Sequence, residues 1–112
     1  MPARDPRSYL PLTAVSFEIM LALADAPRHG YDIMKTVEHR TLGAMELHPG
    51  TLYRALARLL DDELIEEVGR PDEGRRCYRL TRLGADVARA EARRLASQVA
   101  IARARRWIKD PA

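Results

Sequence analysis

A chain of 112 residues, 46% of them apolar, can build one modest core and one appended element rather than two domains. Its formal net charge of +3 is too small to demand a polyanionic partner, but the positive charge is almost all arginine, with only Lys35 and Lys109 as lysines. Arginine forks match phosphate and guanine edges, so the mix suits DNA, although an arginine-rich high-GC genome gives the same excess. The single cysteine, Cys77, excludes an intrachain disulfide and a thiolate metal site within one chain.

Residues 1–11 hold Pro2, Pro6 and Pro11 with two arginines and read as a flexible arm. No apolar stretch follows the early charges, so no secretory signal is expected, and no apolar run approaches the roughly 20 residues of a membrane span. The expected compartment is the cytoplasm. Thr13 is placed to cap a helix over residues 14–25, where Val15, Ile19, Ala22, Leu23 and Ala26 share one face. Pro27 stops it. Gly30 opens a second helix, residues 30–41, with Ile33 and Val37 facing inward and Leu42-Gly43 closing it. The link Gly43–His48 has room for a short strand at Met45–Leu47.

Pro49 suits the first position of a third helix because its missing N–H would have no partner there. Leu52, Ala55, Leu56, Leu59 and Leu60 form its apolar stripe; Thr51, Tyr53, Arg54, Ala57 and Arg58 take the other side. The helix should end near Glu63, followed by a strand at Leu64–Val68. Gly69-Arg-Pro-Asp-Glu-Gly74 is turn chemistry, and Arg75–Leu80 is the returning strand, giving a hairpin with Arg70, Arg75 and Arg76 near its tip. Thr81 then caps a long helix, residues 82–108, ended by Asp110-Pro111. It would reach about 40 Å, more than so small a core can cover. Ala88, Ala92, Leu95, Val99 and Ala102 recur at alternating spacings of four and three, a narrow seam whose natural cover is a second copy.

The expected fold class is therefore mainly α with a small β-hairpin, a winged helix-turn-helix plus a long C-terminal dimerisation helix. Its parts are a flexible arm at 1–11, a DNA-binding domain at 12–81 and a dimerisation helix at 82–109. With these pieces in order, the chain resembles the PadR family of bacterial transcription regulators, in the short form with a single C-terminal helix. The resemblance rests on Leu21-Ala-Leu23 with His29-Gly-Tyr31, Pro49-Gly-Thr-Leu-Tyr-Arg-Ala-Leu56, Leu64-Ile-Glu66, and Arg75-Arg-Cys-Tyr-Arg-Leu-Thr81 with Gly84. It implies a dimeric regulator, usually a repressor, whose third helix and wing bind an inverted-repeat operator. It also implies, for many members, a response to small aromatic or cationic compounds.

The candidate DNA-binding residues are Tyr31, Pro49, Gly50, Thr51, Tyr53, Arg54, Arg58, Arg75 and Arg76. Arg54 is the first choice for a guanine edge, through O6 and N7. Thr51 and Tyr53 lie where hydroxyls and helix N-terminal amides hold phosphate. Arg75 and Arg76 suit phosphate or minor-groove contact. Against each stands the plainer reading of a solvated face or edge protection. Ala88, Ala92, Leu95, Val99 and Ala102 are the candidate dimer interface, and Leu95 and Trp107 the candidate effector pocket. Trp107 serves equally as a surface anchor. His29, His39 and His48 lack ligand spacing, so neither metal nor cofactor is expected. Cys77 reads as a passive strand residue. No nucleophile elbow, phosphate-binding Gly loop or carboxylate pair among apolar residues supports an enzyme. The competing class is a winged-helix protein-interaction module without DNA binding, which has no need of Thr51, Tyr53 and Arg54 together with Arg75 and Arg76.

Overall fold

The computed structural model describes residues 4–69 and 74–109. Helix α1 spans Ala14–Ala22, and the Thr13 hydroxyl accepts the Ser16 N–H at 3.1 Å to start it. It stops short of the expected residue 25. The Arg28 Nε donates to the Ala22 carbonyl at 2.7 Å and so occupies one of the final acceptors, while Arg28 also pairs with Asp25. Arg28–His29 form a two-residue strand, β1, that the sequence did not reveal.

Helix α2, Gly30–Arg40, buries Ile33 and Val37 completely or nearly so. The short strand expected at Met45–Leu47 does not form. The Met45 N–H is taken by the Thr41 hydroxyl at 3.1 Å instead of a ladder partner, and Leu47 drops into the core. Helix α3, Pro49–Asp61, presents Leu52, Leu56 and Leu59 to the core, with Ala55 and Leu60 half-buried beside them. It ends two residues before Glu63, which turns left-handed at φ 60° while the Leu64 N–H reaches back to the Leu59 carbonyl at 2.9 Å.

Strands β2 (Ile65–Val68) and β3 (Cys77–Leu80) pair antiparallel, Ile65 opposite Leu80 and Val68 opposite Cys77. β1 adds to the far side of β3, giving the order β1-β3-β2. Arg75 and Arg76 precede β3 rather than lying in it, because β2 offers no ladder partner beyond Val68. Arg70, expected at the hairpin tip, lies outside the described residues. Leu64 is not in β2 either: its carbonyl accepts the Thr81 N–H at 3.1 Å.

Helix α4 spans Arg82–Ala104. The Thr81 hydroxyl caps it by accepting the Gly84 N–H at 2.9 Å and donates in turn to the Glu63 carbonyl at 2.6 Å. The helix stops before the expected residue 108, where Arg106 adopts φ 63° and the Trp107 N–H returns to the Ala102 carbonyl at 2.9 Å. Asp110-Pro111, expected as the terminator, lies outside the described residues.

Part of the expected flexible arm is seated. Residues Pro6–Tyr9 form a 3-10 turn capped by Asp5, and Tyr9, Leu10 and Leu12 pack against the core. Four helices and a three-stranded sheet thus enclose one core centred on Ile19, Met20, Ile33, Leu52, Leu56, Tyr78 and Val87. This is a winged helix-turn-helix, with α2 and α3 as the helical pair and β2–β3 as the wing. The latter half of α4 extends beyond the core.

Candidate nucleic-acid interface

The first turn of α3 is built to leave donors open. His48, extended at φ −74° and ψ 150°, precedes Pro49 but provides no side-chain cap. The early amides of α3 therefore lack the side-chain acceptor that Thr13 and Thr81 supply to α1 and α4. The candidates Pro49 and Gly50 lie exposed on this turn, and Thr51 is half-buried just behind them. Arg54 folds back over it, its Nη1 within 3.6 Å of where a Gly50 side chain would begin. A guanidinium and a helix N-terminus so share one small area of surface.

Tyr53 points the other way along the helix, toward α2 and the wing. Its hydroxyl comes within 3.3 Å of the position a Cβ would take on Gly30, the buried first residue of α2. A side chain on Gly30 would push that hydroxyl aside by a few tenths of an ångström. Tyr31, the next residue of α2, is 61% exposed with the Lys35 ammonium 5.6 Å from its ring centre. Tyr31 and Tyr53 meet Arg75 and Arg76 across a cleft of about 290 Å³, which His29, Gly30, Gly74 and Tyr78 complete. The fold therefore brings four candidates, Tyr31, Tyr53, Arg75 and Arg76, to one cleft, while Arg54 lies over the first turn of α3.

Two residues of the cleft were not foreseen. Tyr78 is 1% exposed and forms its floor. Burial, and then the neighbouring Glu67 carboxylate, push its phenol above the ordinary tyrosine range, with the Arg76 guanidinium acting in the opposite direction. Its hydroxyl is thus a neutral donor at physiological pH. His29 closes the wall: its Nδ1 lies 3.2 Å from the Arg76 carbonyl, tying β1 to the wing base. The signal in the sequence was the extended pair Arg28-His29 wedged between Pro27 and Gly30, visible only once β3 is known to lie beside it.

The arginines differ in their engagement. Arg76 stands 3.7 Å from the Glu67 carboxylate, and Arg79 pairs with Glu66 at 2.7 Å. Among the described residues no carboxylate lies within ion-pair distance of Arg54, Arg58 or Arg75. Arg58 does not join the cleft. It lines a smaller recess with Tyr9, Thr13, Ser16 and Asp62, toward the start of α1. The open amides of α3 and the tyrosine and arginine side chains of the cleft offer donors to anionic oxygens at several points.

The C-terminal candidates divide. Ala88 packs against the chain's own core, whereas Ala92 is exposed, Leu95 and Ala102 are half-buried and Val99 is 40% exposed. Ile101, Trp107 and Ile108 extend the exposed apolar surface. Leu95 is half-buried on the helix and Trp107 is 77% exposed beyond its end. Among the described residues no group of three His, Cys, Asp or Glu side chains could hold a metal, and no helix is long and apolar enough to cross a membrane.

Known proteins agree with this architecture. Residues 19–90 match the model of the transcriptional regulator PadR-like family. The chain is similar to an uncharacterized 37.1 kDa protein in transposon TN4556 of Streptomyces fradiae, 40% identical over 81 residues. That match covers 70% of this chain and only 22% of the relative, so the chain spans about a fifth of that protein's length. Among solved structures it is similar to RosR in the hsRosR-S4 complex, with a TM-score of 0.72 and 28% identity over 84% of this chain and 80% of that one. It shares its fold with a PadR family transcription regulator from Clostridium difficile, with a TM-score of 0.69 and 24% identity over 81% of this chain and 96% of the other. The chain belongs to the PadR-like family of transcriptional regulators.

Proposed function

We propose that this protein is a dimeric, sequence-specific DNA-binding repressor that acts in the cytoplasm. In this reading α3 enters a major groove, Arg54 reads a guanine edge, and Arg58 touches bases or backbone one turn further on. Tyr31, Thr51, Tyr53, Arg75 and Arg76 hold backbone phosphates along the same face. The observation that carries the reading is the cleft itself. It joins the start of α2 and Tyr53 of α3 to the wing base and is lined by tyrosines and arginines.

Dimerisation is supported by α4. Ala92, Leu95, Val99 and Ala102 run along a helix that its own chain leaves largely uncovered beyond Glu91. A second copy, related by a two-fold axis, would cover that seam and present a second α3 to the operator. Release by a small aromatic or cationic effector is the regulatory part of the proposal, carried by the resemblance alone.

The test is an electrophoretic shift at moderate salt with DNA from upstream of the protein's own coding sequence, against random duplex as competitor. A retarded band that random DNA displaces only in large excess is the expected outcome. Equal displacement by both, or no shift, favours the alternative of a winged-helix module that binds other proteins.

A further inference from the structure

Among the described residues, Glu91 is the buried acid. It lies near the middle of α4 and is 1% exposed, yet the candidate interface makes no use of it. Its Oε2 accepts the Leu12 N–H at 2.7 Å across 79 residues of sequence. Its Oε1 is in contact with the Arg94 Nε one turn further along the helix. Burying a carboxylate carries a desolvation penalty of several kcal/mol, and an apolar residue of similar size is commonly no less stable at such a site. The pair therefore matters here for the geometry it imposes as well as for its contribution to stability.

That geometry is the last point of attachment for α4. The first is at the base of the helix, where Gly84 touches the Leu64 carbonyl so closely that an added Cβ would stand 1.8 Å from the oxygen. Val87 follows in the core, and Glu91, seven residues and about 10 Å beyond Gly84, is the last residue that the helix buries. What it grips is the entrance to α1, since Leu12 directly precedes the Thr13 cap. The strap before Leu12 continues to α3: Arg4 bonds the Tyr9 hydroxyl at 2.9 Å and pairs at 3.2 Å with Glu63, just past the C-terminus of that helix. Beyond Glu91, α4 continues for about 20 Å to Ala104, so a tilt of about 10° at Glu91 displaces the tip by some 3 Å. In a dimer paired through that stretch, the displacement passes to the partner's α3.

We propose that Glu91 is a positioning residue that sets the separation and orientation of the two recognition helices. It does so by locking α4 to the N-terminal strap, and it touches no DNA. The inference rests on the dimeric DNA-binding reading above.

The test measures the distance between the two α3 helices directly. A nitroxide is attached at Ala57→Cys in a Cys77→Ala background, and the dipolar distance distribution of the full chain is recorded. The parent should give one narrow distribution. Glu91→Leu, which removes both acceptors, should at least double its width while the dimer mass is unchanged. Operator affinity should fall about tenfold, and affinity for random duplex should stay within about twofold. Glu91→Gln keeps an oxygen for Leu12 and should restore most of the narrow distribution. If Glu91→Leu fails to unfold cooperatively, deletion of residues 1–10, which frees the strap and leaves α4 intact, carries the test with the same broadening expected. A dimeric Glu91→Leu protein (or deletion variant) with parental distances overturns the positioning role and leaves the DNA-binding reading standing. A monomeric parent, giving no dipolar signal, overturns both.

Discussion

At the scale of the residue, the structure turns ordinary substitutions into sharp tests. Replacing a glycine inside a helix by alanine usually stabilises it by about 1 kcal/mol. Gly84 should reverse that sign, because its missing side chain is where the Leu64 carbonyl sits. That carbonyl is itself held by the Thr81 N–H. Gly84→Ala should destabilise the protein by about 3 kcal/mol in urea unfolding; an increase in stability would mean that α4 does not seat on the start of β2. The arginines separate by role. Arg76→Ala should weaken binding to all DNA about equally and lower the salt slope by about one. Arg54→Ala should cost roughly 1–3 kcal/mol and relax the preference at one position in each half-site. Competition titrations over a salt series distinguish the two, and parallel losses on operator and random DNA would contradict the assignment. Glu91 adds a pH dependence. The Arg94 guanidinium, with help from the Leu12 N–H, holds its carboxyl below the ordinary carboxylate range against the opposing effect of burial. The unfolded chain thus binds this proton more readily than the folded one. The stability is present above the usual glutamate value of about 4.3 and is lost as pH falls through the lowered one. Glu91→Gln should flatten the acid limb of the stability profile, with a residual slope left by Asp5, which Arg7 also holds low. Parallel acid limbs would remove Glu91 from that account.

At the scale of the element, period and punctuation made most of the fold legible. The stripe Leu52, Leu56, Leu59 and the hydroxyl caps Thr13 and Thr81 are local signals, and each helix begins where those signals place it. Helix ends were harder to read for a physical reason. Leu42, Glu63 and Arg106 are the left-handed residues that close α2, α3 and α4, and none is the glycine that normally marks such a position. β1 escaped because a two-residue strand has no period of its own and exists only through its pairing with β3. The cleft was half legible: Tyr31, Tyr53, Arg75 and Arg76 were read from local position. Tyr78 and His29 join it through cross-strand neighbours that no window of sequence contains. The strap was misread because its anchor, Glu91, is 79 residues away from Leu12. The α4 seam is the element that a single chain leaves unfinished. Leu95→Glu with Val99→Glu should yield a folded monomer by sedimentation and abolish tight operator binding, and a persisting dimer would place the interface elsewhere.

At the scale of the whole molecule, the proposed dimer carries two reading heads on one frame. One chain measures 53 × 40 × 23 Å, with its candidate interface on one side and an uncovered helical seam beyond the core. Pairing two such chains about a two-fold axis makes the operator an inverted repeat. Its half-site centres should lie about 10 base pairs apart, or two turns apart if the α4 pair holds the subunits more widely. The most direct test is footprinting followed by changes to the spacer between half-sites. Inserting about five base pairs turns one half-site to the far side of the duplex and should abolish tight binding, whereas inserting a full turn of about 10 should restore part of it. Unchanged affinity after the half-turn insertion would contradict a rigid two-fold pair, and with it the dimeric repressor.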